Sequence, residues 1–131
     1  MFLGRKNDRA TPQKLSSVPI YSLNKKEKMG VVNLKISGNC ENLIAFYADS
    51  DIKPFFKTGS IFIIDQNILI ENGNLVAIKL NYSDLIQIKK YSIHRGKVLL
   101  KSLDEKEKDI VLMPTTQSEI FGVIVQINAN T

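Results

Sequence analysis

The chain has 131 residues, 44% of them hydrophobic and 24% charged, which suits one globular domain and argues against wholesale disorder. No apolar run reaches the roughly 18–20 residues of a membrane span, and the start Met1-Phe2-Leu3-Gly4-Arg5-Lys6 lacks the apolar core of a signal peptide. One cysteine, Cys40, allows no internal disulfide and points to a reducing, cytoplasmic setting, while a single histidine, His94, makes a zinc site improbable.

The net charge of +5 is unevenly placed. Residues 1–28 carry seven Lys/Arg against two Asp/Glu, so the rest of the chain is neutral. Residues 1–17 contain Pro12 and scattered polar side chains with no strand or helix period, and are expected to form a flexible basic tail or linker. Such an arm can touch phosphate without specificity or serve as a solubilising linker. The body has no basic face with interleaved aromatics.

The folded part is expected over residues 18–131 as a run of short strands. Val31-Val32-Asn33-Leu34-Lys35-Ile36 alternates, with Val32, Leu34 and Ile36 on one face. After the break at Ser37-Gly38-Asn39, a short helix is conceivable near residues 40–44, and Leu43-Ile44-Ala45-Phe46-Tyr47-Ala48 is the next apolar run. A turn is expected over residues 51–56. Ser60-Ile61-Phe62-Ile63-Ile64-Asp65 is apolar on both faces and should be central. Further strands are expected at 75–80, 85–90, 97–103, 110–113 and 120–127, separated by turn residues such as Glu71-Asn72-Gly73-Asn74 and His94-Arg95-Gly96. About eight short strands with little helix make a mostly-β folded sheet or partly open barrel.

Chemistry is sparse. No Gly-rich phosphate loop, GxSxG elbow or HExxH occurs. The carboxylates Asp104, Glu105, Glu107 and Asp109 alternate with Lys106 and Lys108 and read as a solvated loop. In Asp49-Ser50-Asp51-Ile52-Lys53-Pro54, the Ser and Asp side chains suit a turn or cap. A serine nucleophile there would need a base. His94 lies in a turn, whereas Lys89 lies in a strand and could act as base if desolvated, although a solvated strand lysine is the plainer reading.

The order of these features resembles the self-cleaving serine-peptidase domain shared by LexA, UmuD and lambda-type phage repressors. Val18-Pro19-Ile20-Tyr21 resembles the lead-in to that family's cleavage loop. Ala48-Asp49-Ser50-Asp51-Ile52-Lys53-Pro54 resembles its Gly-Asp-Ser-Met-x-Pro nucleophile motif, with Ala48 for the Gly and Asp51 for the Met. Lys57-Thr58-Gly59-Ser60-Ile61 resembles the Asp-Gly-Asp turn and strand, and Asn72-Gly73-Asn74-Leu75-Val76-Ala77 the later Gly-Asp-x-Val-Ala. Ile88-Lys89-Lys90-Tyr91 resembles the segment with the general-base lysine, and Phe121-Gly122-Val123-Ile124-Val125 the last strand.

The resemblance implies Ser50 as nucleophile and Lys89 as its base, cutting the chain's own N-terminal segment. Aligned on Pro54 and Gly59, the nucleophile position falls on Asp51, which would hold a neighbouring lysine charged and leave the domain catalytically silent; this silent version is the favoured expectation. The family's Ala-Gly or Cys-Gly scissile pair is missing, and Met29-Gly30 is the nearest substitute. The resemblance also implies a homodimer through Phe121, Val123 and Val125, and residues 120–127 read as a long strand, apolar on both faces, that is unprotected unless paired or covered. The expected role is the C-terminal regulatory and dimerisation domain of a phage- or LexA-type repressor. Contact with DNA would run only through a helix-turn-helix domain absent from this chain, without cofactor, metal, small-molecule ligand or membrane. The alternatives are a stand-alone UmuD-like protein acting with an error-prone polymerase, and a plain β interaction module.

Overall fold

The computed structural model describes residues 14–24, 27–36, 41–80, 85–113 and 118–130. Among them there are nine strands and no helix: β1 (Lys14–Ser22), β2 (Lys28–Ile36), β3 (Leu43–Tyr47), β4 (Ile61–Asp65), β5 (Leu75–Leu80), β6 (Ile86–His94), β7 (Lys97–Lys101), β8 (Ile110–Leu112) and β9 (Ser118–Asn128). They form one sheet in the order β2-β1-β3-β4-β9-β5-β6-β7-β8. All neighbours run antiparallel except β1 and β3, which pair in parallel through Ile20–Ala45, Tyr21–Phe46 and Ser22–Tyr47. The mostly-β expectation holds, and no helix among the described residues is long and apolar enough to cross a membrane.

Burial on both faces explains the apolar runs. On β4, Phe62 and Ile64 enter one core cluster with Phe46, Ala77, Ile86 and Ile88, while Ile63 enters another with Val18, Ile20, Leu34 and Ala45. On β5, Ala77 faces the first cluster, whereas Val76 and Ile78 pack with Leu80, Leu100 and Val123. Each such side chain removed from water contributes about 1.5–3 kcal/mol before chain entropy is subtracted. β4 is central, as its two-sided apolarity predicts.

Three expectations need correction. The first strand begins at Lys14, inside the segment expected to be tail, because Val18 and Ile20 bury one face while Lys14 to Tyr21 pair along β2. That strand brings the count to nine, in line with the expected run of about eight. The helical possibility near residues 40–44 is replaced by β3 from Leu43 onward, where five residues pair in register with β4; residue 40 lies outside the described residues. The last strand is not an unprotected edge: β9 sits between β4 and β5, and the sheet edges are β2 and β8.

β9 reaches both neighbours by bulging. Its register slips between Ile120 and Gly122 against β5, and between Ile124 and Gln126 against β4. Gly122 carries φ +152°, and a Cβ there would run into the Asp65 carbonyl oxygen and lie 2.7 Å from Ile64 Cγ2. Glycine is what allows the two backbones to approach.

Candidate active site

The loop after β3 carries the first half of the site. Its neck is closed by backbone hydrogen bonds from Ala48 N–H to Ser60 O and from Gly59 N–H to Ala48 O, both 2.9 Å. Within it Ile52 and Phe56 exchange backbone bonds of 2.7 and 2.9 Å, forming the expected turn. Near the chain's end, Asn130 donates from its backbone N–H to Ser60 Oγ (3.0 Å) and from Nδ2 to Thr58 O (2.7 Å).

Three consecutive polar residues at the mouth of this loop have different partners. Asp49 accepts from Ser22 Oγ at 2.7 Å and from Asn24 N–H at 3.2 Å. Burial alone would raise its pKa, but these bonds, with backbone N–H groups of Asp49 and Leu23, hold it below the ordinary 3.8. Ser50 is exposed, with Asn24 Nδ2 at 3.4 Å from its Oγ. Asp51 Oδ1 accepts from Thr58 N–H (2.8 Å) and Thr58 Oγ1 (2.9 Å), and the backbone bond first, then the hydroxyl, keeps its carboxyl below 3.8.

Lys89 supplies the second half. It is 6% exposed, so the plainer reading as a solvated strand lysine does not hold. Its Nζ donates to Ser102 Oγ at 2.8 Å and lies 3.7 Å from Glu107 Oε1. A buried ammonium needs such partners, since removing it from water unpaired is costly. Glu107 remains a solvated loop carboxylate, its side chain 63% exposed, while pairing with Lys89.

The two halves meet in a cavity of about 390 Å³ whose lining includes Leu23, Asn24, Ser50, Asp51, Ile88, Lys89, Leu103 and Glu107. The structure therefore brings together Ser50, Asp51 and Lys89. It does not bring in Met29 and Gly30, which lie in β2 and do not line this cavity. His94 ends β6 and is exposed. Asn24, Ser102 and Glu107 had no sequence motif to mark them. They reach the site from loops, and only the pairing of β6 with β7 brings Ser102 alongside Lys89.

Of the residues expected at a dimer interface, Val123 is buried in its own chain, Phe121 is partly buried and meets Phe46 edge-on at 5.4 Å, and Val125 is 47% exposed.

The family model for Peptidase S24-like proteins matches residues 17–125, from within β1 into β9. The chain belongs to the Peptidase S24-like family. This is the LexA/UmuD type, and the match takes in both halves of the cavity. No curated protein matches the sequence. Within this S24-like domain, an exposed serine hydroxyl and a buried lysine amine line one cavity, and these are the residue types that a Ser-Lys pair uses for acyl transfer.

Proposed function

We propose that this S24-like chain is the regulatory and dimerisation domain of a phage- or LexA-type transcriptional repressor, working in the cytoplasm, and that Ser50 and Lys89 cut the chain's own N-terminal segment. The observation that carries the reading is the shared cavity: exposed Ser50, buried Lys89 and the chain segment at Leu23 and Asn24 all line it. Against the silent version, Asp51 is engaged by Thr58, and Lys89 by Ser102 and Glu107.

In this reading the ion pair with Glu107 is the resting state, because a charged ammonium cannot accept a proton. Once neutral, Lys89 takes the Ser50 proton, and backbone N–H groups stabilise the oxyanion. The family and the basic residues 1–28 support the repressor role. Incubation at pH 7 and pH 10 followed by mass spectrometry tests the activity. The expected result is a fragment that accumulates at pH 10 and is missing from Ser50→Ala and Lys89→Ala. An intact chain at pH 10 rejects self-cleavage.

A further inference from the structure

The segment leaving β1 is held on both sides at the mouth of the cavity. Leu23 N–H donates to Tyr47 O at 2.9 Å, and Leu23 O accepts from Ile86 N–H at 3.4 Å. The Leu23 side chain is 4% exposed and packs in the cluster containing Ala48, Ile86 and Ile88. The next residue turns to the nucleophile loop, with Asn24 N–H on Asp49 Oδ1 and Asn24 Nδ2 at 3.4 Å from Ser50 Oγ. One peptide unit is thus fixed at both of its polar ends, its oxygen by β6 and its nitrogen by the residue preceding Ser50.

We infer that the bond Ser50 addresses is Leu23–Asn24, and that Leu23 is the residue whose side chain the cleft selects. The inference rests on the self-cleavage reading and replaces Met29–Gly30 as the target. Gly30 is engaged in the β1–β2 ladder opposite Ile20, Met29 is half exposed at its bulge, and neither lines the cavity. An anchored side chain and a fixed amide are what a cleft needs to hold a bond for attack, because orientation supplies much of the rate. The fit of Leu23 is apolar and fully desolvated, so truncation at that position weakens the hold on this bond.

The chemistry balances with water as co-reactant. Neutral Lys89 accepts the Ser50 hydroxyl proton, Ser50 Oγ bonds to the Leu23 carbonyl carbon, and the bond to the Asn24 nitrogen breaks. The proton held on Lys89 passes to that nitrogen, freeing a chain that begins at Asn24. Water then hydrolyses the ester, leaving a Leu23 carboxylate and restoring the Ser50 hydroxyl.

The test is the full chain at pH 10, with products assigned by intact mass and N-terminal sequencing. The expected product begins at Asn24 and is lost in Ser50→Ala. Leu23→Gly should slow its formation at least tenfold and Leu23→Met, which keeps the core filled, by a smaller factor, while Met29→Ala should leave it within about twofold. A Ser50-dependent product beginning at Gly30, or anywhere other than Asn24, overturns the inference and leaves self-cleavage standing. A product at Asn24 that forms equally fast in Leu23→Gly overturns the role of Leu23. No Ser50-dependent product at all overturns the self-cleavage reading, and the bond assignment with it.

Discussion

Asp51 Oδ1 receives both the backbone N–H and the hydroxyl of Thr58, at 2.8 and 2.9 Å, and so spans the seven residues of the loop that presents Ser50. The carboxylate acts as a staple for that loop. With Asp49 tied to Ser22 and Asn24 on the other side, Ser50 stands between two carboxylates that each have a structural task.

Those two carboxylates set an acid limit. Both have folded-state pKa values below the ordinary 3.8, so their contribution to stability is present above about pH 4 and is lost as pH falls through the lower folded values. Thermal melts should show a flat midpoint between pH 5 and 7 and a decline below pH 4. The double change Asp49→Asn, Asp51→Asn should make the decline shallower. An acid limb as steep as that of the unmodified chain would show that other groups control it.

Glu107→Gln removes the carboxylate beside Lys89 while leaving the Ser102 hydroxyl in place. An ion pair whose carboxylate is exposed contributes about 0.2–1 kcal/mol, so self-cleavage at neutral pH should rise by about 1.4- to 5-fold. Quantifying the fragment over time at pH 7.5 checks this. An unchanged rate would remove Glu107 from the control of the site.

Gly122→Ala should destabilise the fold by about 3 kcal/mol, since the new Cβ meets the Asp65 carbonyl and the backbone conformation disfavours any side chain. For a domain of this size that lowers the melting midpoint by roughly 10–20 °C. A loss under 1 kcal/mol in chemical denaturation would mean that β4 and β9 separate more easily than their packing implies.

Val125 is the exposed member of the three residues expected at a homodimer contact, and it sits at a bulge. Val125→Lys should therefore leave the melting midpoint within a few degrees while converting dimer to monomer in light scattering at tens of micromolar. A monomer for the unmodified chain at that concentration would count against the dimer.

Strand identity was legible where burial is periodic or two-sided. The alternation of Val32, Leu34 and Ile36 marked β2, and the Ile61 to Ile64 run marked a central strand. β1 was masked by Ser16, Ser17 and Pro19. Pro19 is tolerated because it lies ahead of the short stretch, Ile20 to Ser22, that pairs with β3. The place of β9 in the sheet could not be read locally, because which strands flank it depends on partners 38 to 67 residues away in the chain. At the site, Ser50 and Lys89 carried motif context. Asn24, Ser102 and Glu107 are ordinary polar loop residues until the sheet brings them to the same cavity.

The seat of β1 between β2 and β3 determines what a cut after Leu23 would do. Hydrolysis there divides the polypeptide but leaves the severed strand laced to β2 along Lys14 to Tyr21 and to β3 at Ile20 to Ser22, with Val18 and Ile20 still buried. The two pieces would migrate separately in detergent and together under native conditions, as a complemented pair. Whatever precedes residue 14 would stay tethered until β1 is drawn out of the sheet. Its release is then governed by a dissociation constant, with hydrolysis only making that dissociation permissible.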